Sequence, residues 1–343
     1  MKKIISILMV AAIILTGFSA FGTLVGATTY VSYGEWLLAV KSDTTYLVGG
    51  YNGADTEITM PETANGKAVI GVAEDFSEHC DSQITSVNMP DSYTTIEPFA
   101  FYNCSTLETV DFPSSLTGLG SYAFLNCTAL NSVDLSEATG LLNISSSCFS
   151  QCAQISSVSL PDSITSLNDY CFSFCNSLEQ IIIPANVKSI GANAFYECTS
   201  LSDVVIPNGL ETIGENAFYN DTALTSLYVP VSVSSIGANA FYPMALEGNT
   251  MTIDCYAGTY VASYAYQNYL NYTGDTLVKG DADNNGETNI RDVTYIQLYR
   301  VDFYEIGTDA KTLDRVDVTG DHQVTIRDAT QIQLYRVGLA DLL

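Results

Sequence analysis

Two stretches near the C-terminal end space oxygen-bearing side chains as a hard divalent cation requires. In the first, Asp281, Asp283, Asn285, Asn289 and Asp292 take positions 1, 3, 5, 9 and 12 of a loop, with the Glu287 carbonyl expected at position 7. Gly286 stands at position 6, where the chain must turn sharply. Such spacing wraps oxygens around one point, and Ca2+ takes six to eight of them. The second stretch repeats the pattern with Asp317, Thr319, Asp321, the Gln323 carbonyl, Thr325 and Asp328. Neutral Thr319 lowers its ligand charge, and His322 replaces the turn glycine at a position that favours positive φ. Two Ca2+ sites are therefore expected, the second weaker, rather than two solvated acidic turns.

The elements that position these loops follow them directly. Val293, Ile296 and Tyr299 share one helix face, as do Ala329, Ile332 and Tyr335, and each face is expected to bury against its twin. A unit of about 65 residues has a thin core, so bound metal should supply much of its folding free energy. Both copies carry Ile-Arg-Asp and then Ile-Gln-Leu-Tyr-Arg-Val, and both end the loop on Asp where an EF-hand has Glu. Over residues 278–343 this pattern resembles type I dockerin modules. The resemblance implies a small all-α module of paired F-hand-like loop-helix motifs that binds a cohesin module of a scaffoldin in a cellulosome-type assembly. The family's recognition positions fall here on Ile290, Arg291, Gln297 and Leu298, and on Ile326, Arg327, Gln333 and Leu334, with Arg300 and Arg336 adding charge contacts. Identical residues in both copies imply two equivalent binding orientations.

Upstream, the chain is built on a 23-residue step. LEQIIIPANVKSIGANAFYECTS at 178–200 is followed by LSDVVIPNGLETIGENAFYNDTA at 201–223. Phe101, Phe124, Phe149, Phe172, Phe195, Phe218 and Phe241 mark the step, which is broken only by a two-residue insertion before Phe149. A period of this length means a solenoid whose units bury apolar surface only against their neighbours. Alternating residues such as Leu201, Val204 and Ile206 read as a short strand. Pro90, Pro113, Pro161, Pro184, Pro207 and Pro230 end the strands, because Pro has no N–H for the ladder. Ile-Gly pairs at 190–191, 213–214 and 236–237 are expected to turn the chain with Gly at positive φ, and the Ala-Phe-x-x-Cys segment to form a single inward-pointing helical turn. Ser136 replaces the Pro in repeat 130–154, where a bulge is expected.

Strand ending in Ile-Pro, then Ile-Gly, then Ala-Phe-x-x-Cys: this order closely resembles the BspA-like subfamily of leucine-rich repeats over residues 46–270. The resemblance implies a leucine-rich repeat solenoid of short β-strands with helical turns, and a surface or secreted protein that binds proteins or glycans. The outward strand residues run from Ser86 and Asn88 through Ser157 and Ser159, Gln180 and Ile182, and Asp203 and Val205 to Ser226 and Tyr228. They are small, polar and mildly acidic. A column of Tyr102, Tyr196, Tyr219 and Tyr242 invites comparison with a sugar-stacking ladder, although such tyrosines usually pack on one another with hydroxyls in water.

Cysteine placement agrees with a stacked core. Cys104, Cys127, Cys152, Cys175 and Cys198 fall three residues after the repeat Phe, Cys80 ends the equivalent segment of the first unit, and Cys148 and Cys171 fill the small slot before it. An odd total of nine, and Asp221 in one rung, weigh against a disulfide framework. A CxxxC metal or redox site would have only His79 and His322 to complete it.

A formal charge of −26, from 12 basic and 38 acidic residues, argues against nucleic acid and against an anionic membrane surface. MKK, an uncharged run from Ile4 to about Phe18, and Val25-Gly26-Ala27 read as a signal peptide with its cleavage site, an uncleaved anchor being the alternative. The expected organisation is signal peptide 1–27, irregular capping unit 28–83, repeats 84–250, closing unit 251–270 with an amphipathic end, linker 271–279 and dockerin 280–343. No nucleophile motif appears and the acids vary from unit to unit, so no enzyme is expected. The function expected is a secreted, complex-associated, non-catalytic repeat protein with no membrane span after cleavage. The alternatives are a dockerin-borne polysaccharide-degrading enzyme with paired carboxylates and a cell-surface adhesin.

Overall fold

A computed structural model describes residues 28–242 and 251–273, apart from 81, 82 and 269. The chain coils into a leucine-rich repeat β-solenoid of about nine turns. Each full turn contributes two short strands. The first column holds three-residue strands at Glu57–Thr59, Ser86–Asn88, Thr109–Asp111, Ser132–Asp134, Ser157–Ser159, Gln180–Ile182, Asp203–Val205, Ser226–Tyr228 and Thr252–Asp254. The second holds two-residue strands, from Thr95–Ile96 and Gly118–Leu119 to Ser189–Ile190, Thr212–Ile213 and Ser235–Ile236. Pairing along each column is parallel and one repeat apart, as in Gln180↔Asp203 and Ser189↔Thr212.

The sequence pattern explains both columns. In the first, the middle residue of each strand points inward (Val87, Val133, Ile181, Val204, Leu227) between outward neighbours. The proline that follows ends the ladder and opens a turn. Its carbonyl accepts the N–H three residues on, as from Tyr93 to Pro90, Leu116 to Pro113, Val187 to Pro184 and Leu210 to Pro207. That turn delivers the Ser-Ile or Thr-Ile pair of the second column.

Between the columns runs a single file of phenylalanines. Phe101, Phe124, Phe149, Phe172, Phe195, Phe218 and Phe241 are all buried, and successive rings stack 4.9 to 5.8 Å apart within 13° of parallel. Phe76, from the opening unit, extends the file at 5.0 Å from Phe101. Each ring contributes about 1.5–3 kcal/mol by burial, and each aromatic pair about 0.5–1.5 kcal/mol more.

The ends are closed in different ways. At the N-terminal end, strands Tyr30–Tyr33, Trp36–Val40 and Thr45–Tyr51 pair antiparallel, and Lys67–Val72 joins them to the second column. The opening unit is thus a β-meander that caps the coil. At the other end helix α1 (Tyr260–Gln267) is N-capped by the Thr259 hydroxyl, which accepts the Ala262 N–H. It buries Val261, Ala262, Tyr264 and Ala265. Tyr264 meets Phe241 edge-on at 6.2 Å and donates its hydroxyl to the Gly237 carbonyl, so the helix covers the last rung. Asn271–Tyr272, placed in the linker by the sequence reading, form a strand parallel to Thr252–Asp254. A solenoid needs such caps, because its terminal rungs would otherwise expose core.

Two local expectations are corrected. The Ala-Phe-x-x-Cys segments are not helical turns; among the described residues only Phe76–His79 forms a short 3-10 helix there. Elsewhere alternate N–H groups close tight turns (Leu125 to Tyr122, Cys127 to Phe124), while those between reach the next rung (Phe124 to Cys148, Asn126 to Ser150). This alternation places the residues two before and two after each Phe from Phe101 to Phe218 at positive φ, for example Tyr122 at 61° and Asn126 at 62°, and Asn239 likewise before Phe241. The glycines of the Ile-Gly pairs, by contrast, are not at positive φ. They serve close approach: a Cβ on Gly214 would lie 2.4 Å from the Ala192 nitrogen, and one on Gly237 2.3 Å from the Glu215 nitrogen.

The two-residue insertion interrupts the second column between Gly118–Leu119 and Asn143–Ile144. The extra length is taken up in 135–142, where Ala138 is buried and Leu142 is pushed into solvent.

Candidate functional site

The first column carries the outward surface. Ser157, Ser159, Gln180, Ile182, Asp203 and Val205 are all exposed, and Ile182 stands beside Val205 in register. Ile182 is 70% exposed and Val205 41%, which makes this pair the apolar patch on an otherwise polar face.

The patch borders a gap. Ser132–Asp134 pairs with Ser157–Ser159, and Gln180–Ile182 pairs with Asp203–Val205, but no ladder joins Ser157–Ser159 to Gln180–Ile182. A groove of about 390 Å³ opens there, floored by Val158, Leu160 and Ile181 and rimmed by Ser157, Ser159, Gln180, Asp162 and Ile182. Val158 is half-buried on one side of the gap, whereas Ile181 on the other side is buried. Backbone polar groups on both lips are left for solvent or for a ligand. Asp134 and Asp203 flank the groove in the neighbouring strands. Lys41, Lys67 and Lys188 are the only Lys or Arg residues among those described. Lys41 pairs with Glu97, Lys67 lies over the Tyr46 ring, and Lys188 is 4.0 Å from Glu211, all away from the groove.

The tyrosine column is packed on itself. Tyr196 and Tyr219 stack at 5.0 Å and 3°, and Tyr219 and Tyr242 at 5.7 Å and 18°. A sugar needs about 3.5–4 Å on each side of its own ring, so none fits between them; their edges and hydroxyls meet solvent. Tyr102 belongs to a separate cluster with Phe99, which stacks on Tyr122 at 4.8 Å.

The cysteines form a second file beside the phenylalanines. All nine are free. Cys127, Cys152, Cys175 and Cys198 donate their thiols to the carbonyls of Phe101, Phe124, Phe149 and Phe172, at 3.1 to 3.3 Å. Burial pushes the Cys148, Cys171 and Cys175 thiols up and Cys104 up to about 12, which withholds the thiolate that metal or redox chemistry needs. Asp221 takes the next place in this file. One carboxylate oxygen accepts the Cys198 N–H at 2.8 Å and the other is buried without a hydrogen bond. Burial pushes its carboxyl well above the usual range, which favours the protonated form.

The proposed calcium ligands (281–292 and 317–328) and the cohesin-facing positions (290–300 and 326–336) lie outside the described residues, as does the segment 1–27. Sequence reasoning also passed over the groove and the burial of Asp221. It missed the positive-φ positions as well, although the recurrence of Asn at 103, 126, 193, 216, 220 and 239 signalled them.

The chain is similar to several solved structures. A leucine rich cell surface protein from Faecalibacterium prausnitzii shares 25% identity over 68% of this chain and 84% of its own, with a TM-score of 0.44. A leucine-rich repeat protein from Bacteroides ovatus shares 23% over 74% and 67%, with a TM-score of 0.47. The leucine rich repeat protein of T. pallidum shares 19% over 74% and 99%, with a TM-score of 0.33. No curated protein matches. The family described as BspA type leucine rich repeat region matches in six copies over residues 73–160 and 142–273. That match spans more than half of the sequence, and the chain belongs to the BspA type leucine-rich repeat family.

Proposed function

We propose that this chain is an exported, non-catalytic repeat protein held in a larger extracellular assembly by its C-terminal segment, with the solenoid as a protein-binding arm. The observation that carries the reading is the duplicated oxygen-spaced loop, each copy followed by the same Ile-Gln-Leu-Tyr-Arg-Val. Two Ca2+ ions order the loops, and either copy then presents Ile-Arg and Gln-Leu to a scaffoldin cohesin. Among the described residues no helix is long and apolar enough to cross a membrane.

For the solenoid, the groove beside Ile182 favours a polypeptide over a glycan. Its apolar residues are aliphatic, and no aromatic ring lines it for a sugar to stack on. Its acidic flanks and exposed backbone groups match an extended segment carrying an aliphatic side chain next to lysine or arginine.

The test is a panel of scaffoldin cohesins probed with the purified chain in Ca2+ and in chelator. Binding of at least one cohesin in Ca2+ alone is expected. Binding to none, or equal binding in chelator, would remove the docking role.

A further inference from the structure

A cavity of about 360 Å³ lies in the N-terminal cap, distant in the fold from the groove. Its floor is apolar, from Ala39, Val40, Leu47 and Ala73, and its rim carries Glu74, Asp75, Glu97 and Lys41. Thr28 and Thr29 line it as well, and the Thr29 carbonyl is fixed there by the Val40 N–H at 2.8 Å.

The charges do not balance. Lys41 is engaged by Glu97. Asp75 opens the Phe76–His79 turn yet makes no capping hydrogen bond with its side chain. One of its carboxylate oxygens is buried without a hydrogen bond, and the other lies 3.8 Å from the His79 ring nitrogen. The groups that face it are Glu74, Glu78, Glu97, Lys41 and His79, three acids against two bases. A second observation, independent of these carboxylates, comes from the sequence. Val25-Gly26-Ala27 is the small-residue pattern of a leader cleavage site, and the residue after it is Thr28.

We propose that cleavage after Ala27 creates an α-ammonium on Thr28 that docks in this cavity as the cation for Asp75, closing the cap with the mature N-terminus. The inference rests on the export reading, since it needs residues 1–27 removed. Hydrolysis of the Ala27–Thr28 peptide bond by water leaves a carboxylate on the leader and the ammonium on the protein, so no further reactant is needed. A retained leader would offer Asp75 only an amide N–H. The ammonium satisfies a buried acceptor and pays for its desolvation with a full charge.

Intact mass of the chain recovered from an exporting host is measured first. A mass beginning at Thr28 is expected; a mass that keeps residues 1–27 overturns both export processing and the docking. The α-amine of the full mature chain is then acylated with an amine-reactive ester at pH 7, and the rate is read by peptide mass spectrometry. Docking predicts labelling about tenfold slower than for an unpaired α-amine of ordinary pKa, and recovery of the ordinary rate in Asp75→Asn. Glu74→Gln, on the exposed rim, gives a second reading should Asp75→Asn fail to fold, with partial recovery expected. Correct processing with an ordinary rate that neither variant changes would overturn the docking and leave export standing.

Discussion

At the scale of single residues, stacking governs the molecule. Phe172 has a ring on each side, at 5.5 and 5.8 Å, and no solvent contact. Phe172→Ala should therefore cost about 3–5 kcal/mol, read as a lower urea midpoint, and a loss below 1 kcal/mol would show that the file collapses to fill the hole. Asp221 makes the opposite case. Its folded pKa lies above the unfolded value, so stability is greatest at low pH and is lost as pH rises from the ordinary carboxylate range through the raised folded value. Asp221→Cys restores the residue of the other rungs and should raise the melting temperature, more at pH 8 than at pH 4; a gain that ignores pH would mean the carboxyl is not held neutral. The phenylalanine and cysteine files were legible in the sequence because a strict period survives in residue type. The role of Gly191, Gly214 and Gly237 was not, since a glycine looks the same whether it serves positive φ or close approach, and only the neighbouring rung decides.

Among elements, the turn after each second-column strand was the least legible. Ala-Phe-x-x-Cys has helical spacing, but alternate N–H groups are drawn to the next rung, and the backbone answers with two left-handed residues per turn. Asn tolerates that conformation and most side chains do not. At Asn216, with φ of 52°, Asn216→Ala should cost about 1 kcal/mol while Asn216→Gly holds stability within a few tenths, measured by chemical denaturation. Equal losses in the two variants would locate the effect in lost side-chain contacts instead. The groove shows the same limit. Strand residues and their outward faces were readable from alternation, but the missing ladder beside Gln180–Ile182 depends on how neighbouring turns are offset. Ile182→Lys should leave the melting temperature unchanged, given a side chain 70% exposed, and should abolish capture of a basic aliphatic peptide; unchanged capture would move the binding face elsewhere.

Over the whole molecule, the repeats and the C-terminal segment are expected to draw their stability from different sources. The solenoid is held by burial passed from rung to rung between two caps, and nothing in that arrangement calls for an ion. On the proposed reading, the C-terminal segment is too short to fold on burial alone and would draw on Ca2+. The repeat architecture was readable almost entirely from the 23-residue step, while the functions of both units rested on resemblance and on loop spacing. The first loop keeps its acids and its glycine, and the second has Thr319 and His322, so the affinities should differ. The most direct test is scanning calorimetry of the full chain in Ca2+ and in chelator. Two transitions are predicted in Ca2+, with chelator abolishing one and leaving the solenoid transition unmoved; a profile that chelator does not change would contradict the account.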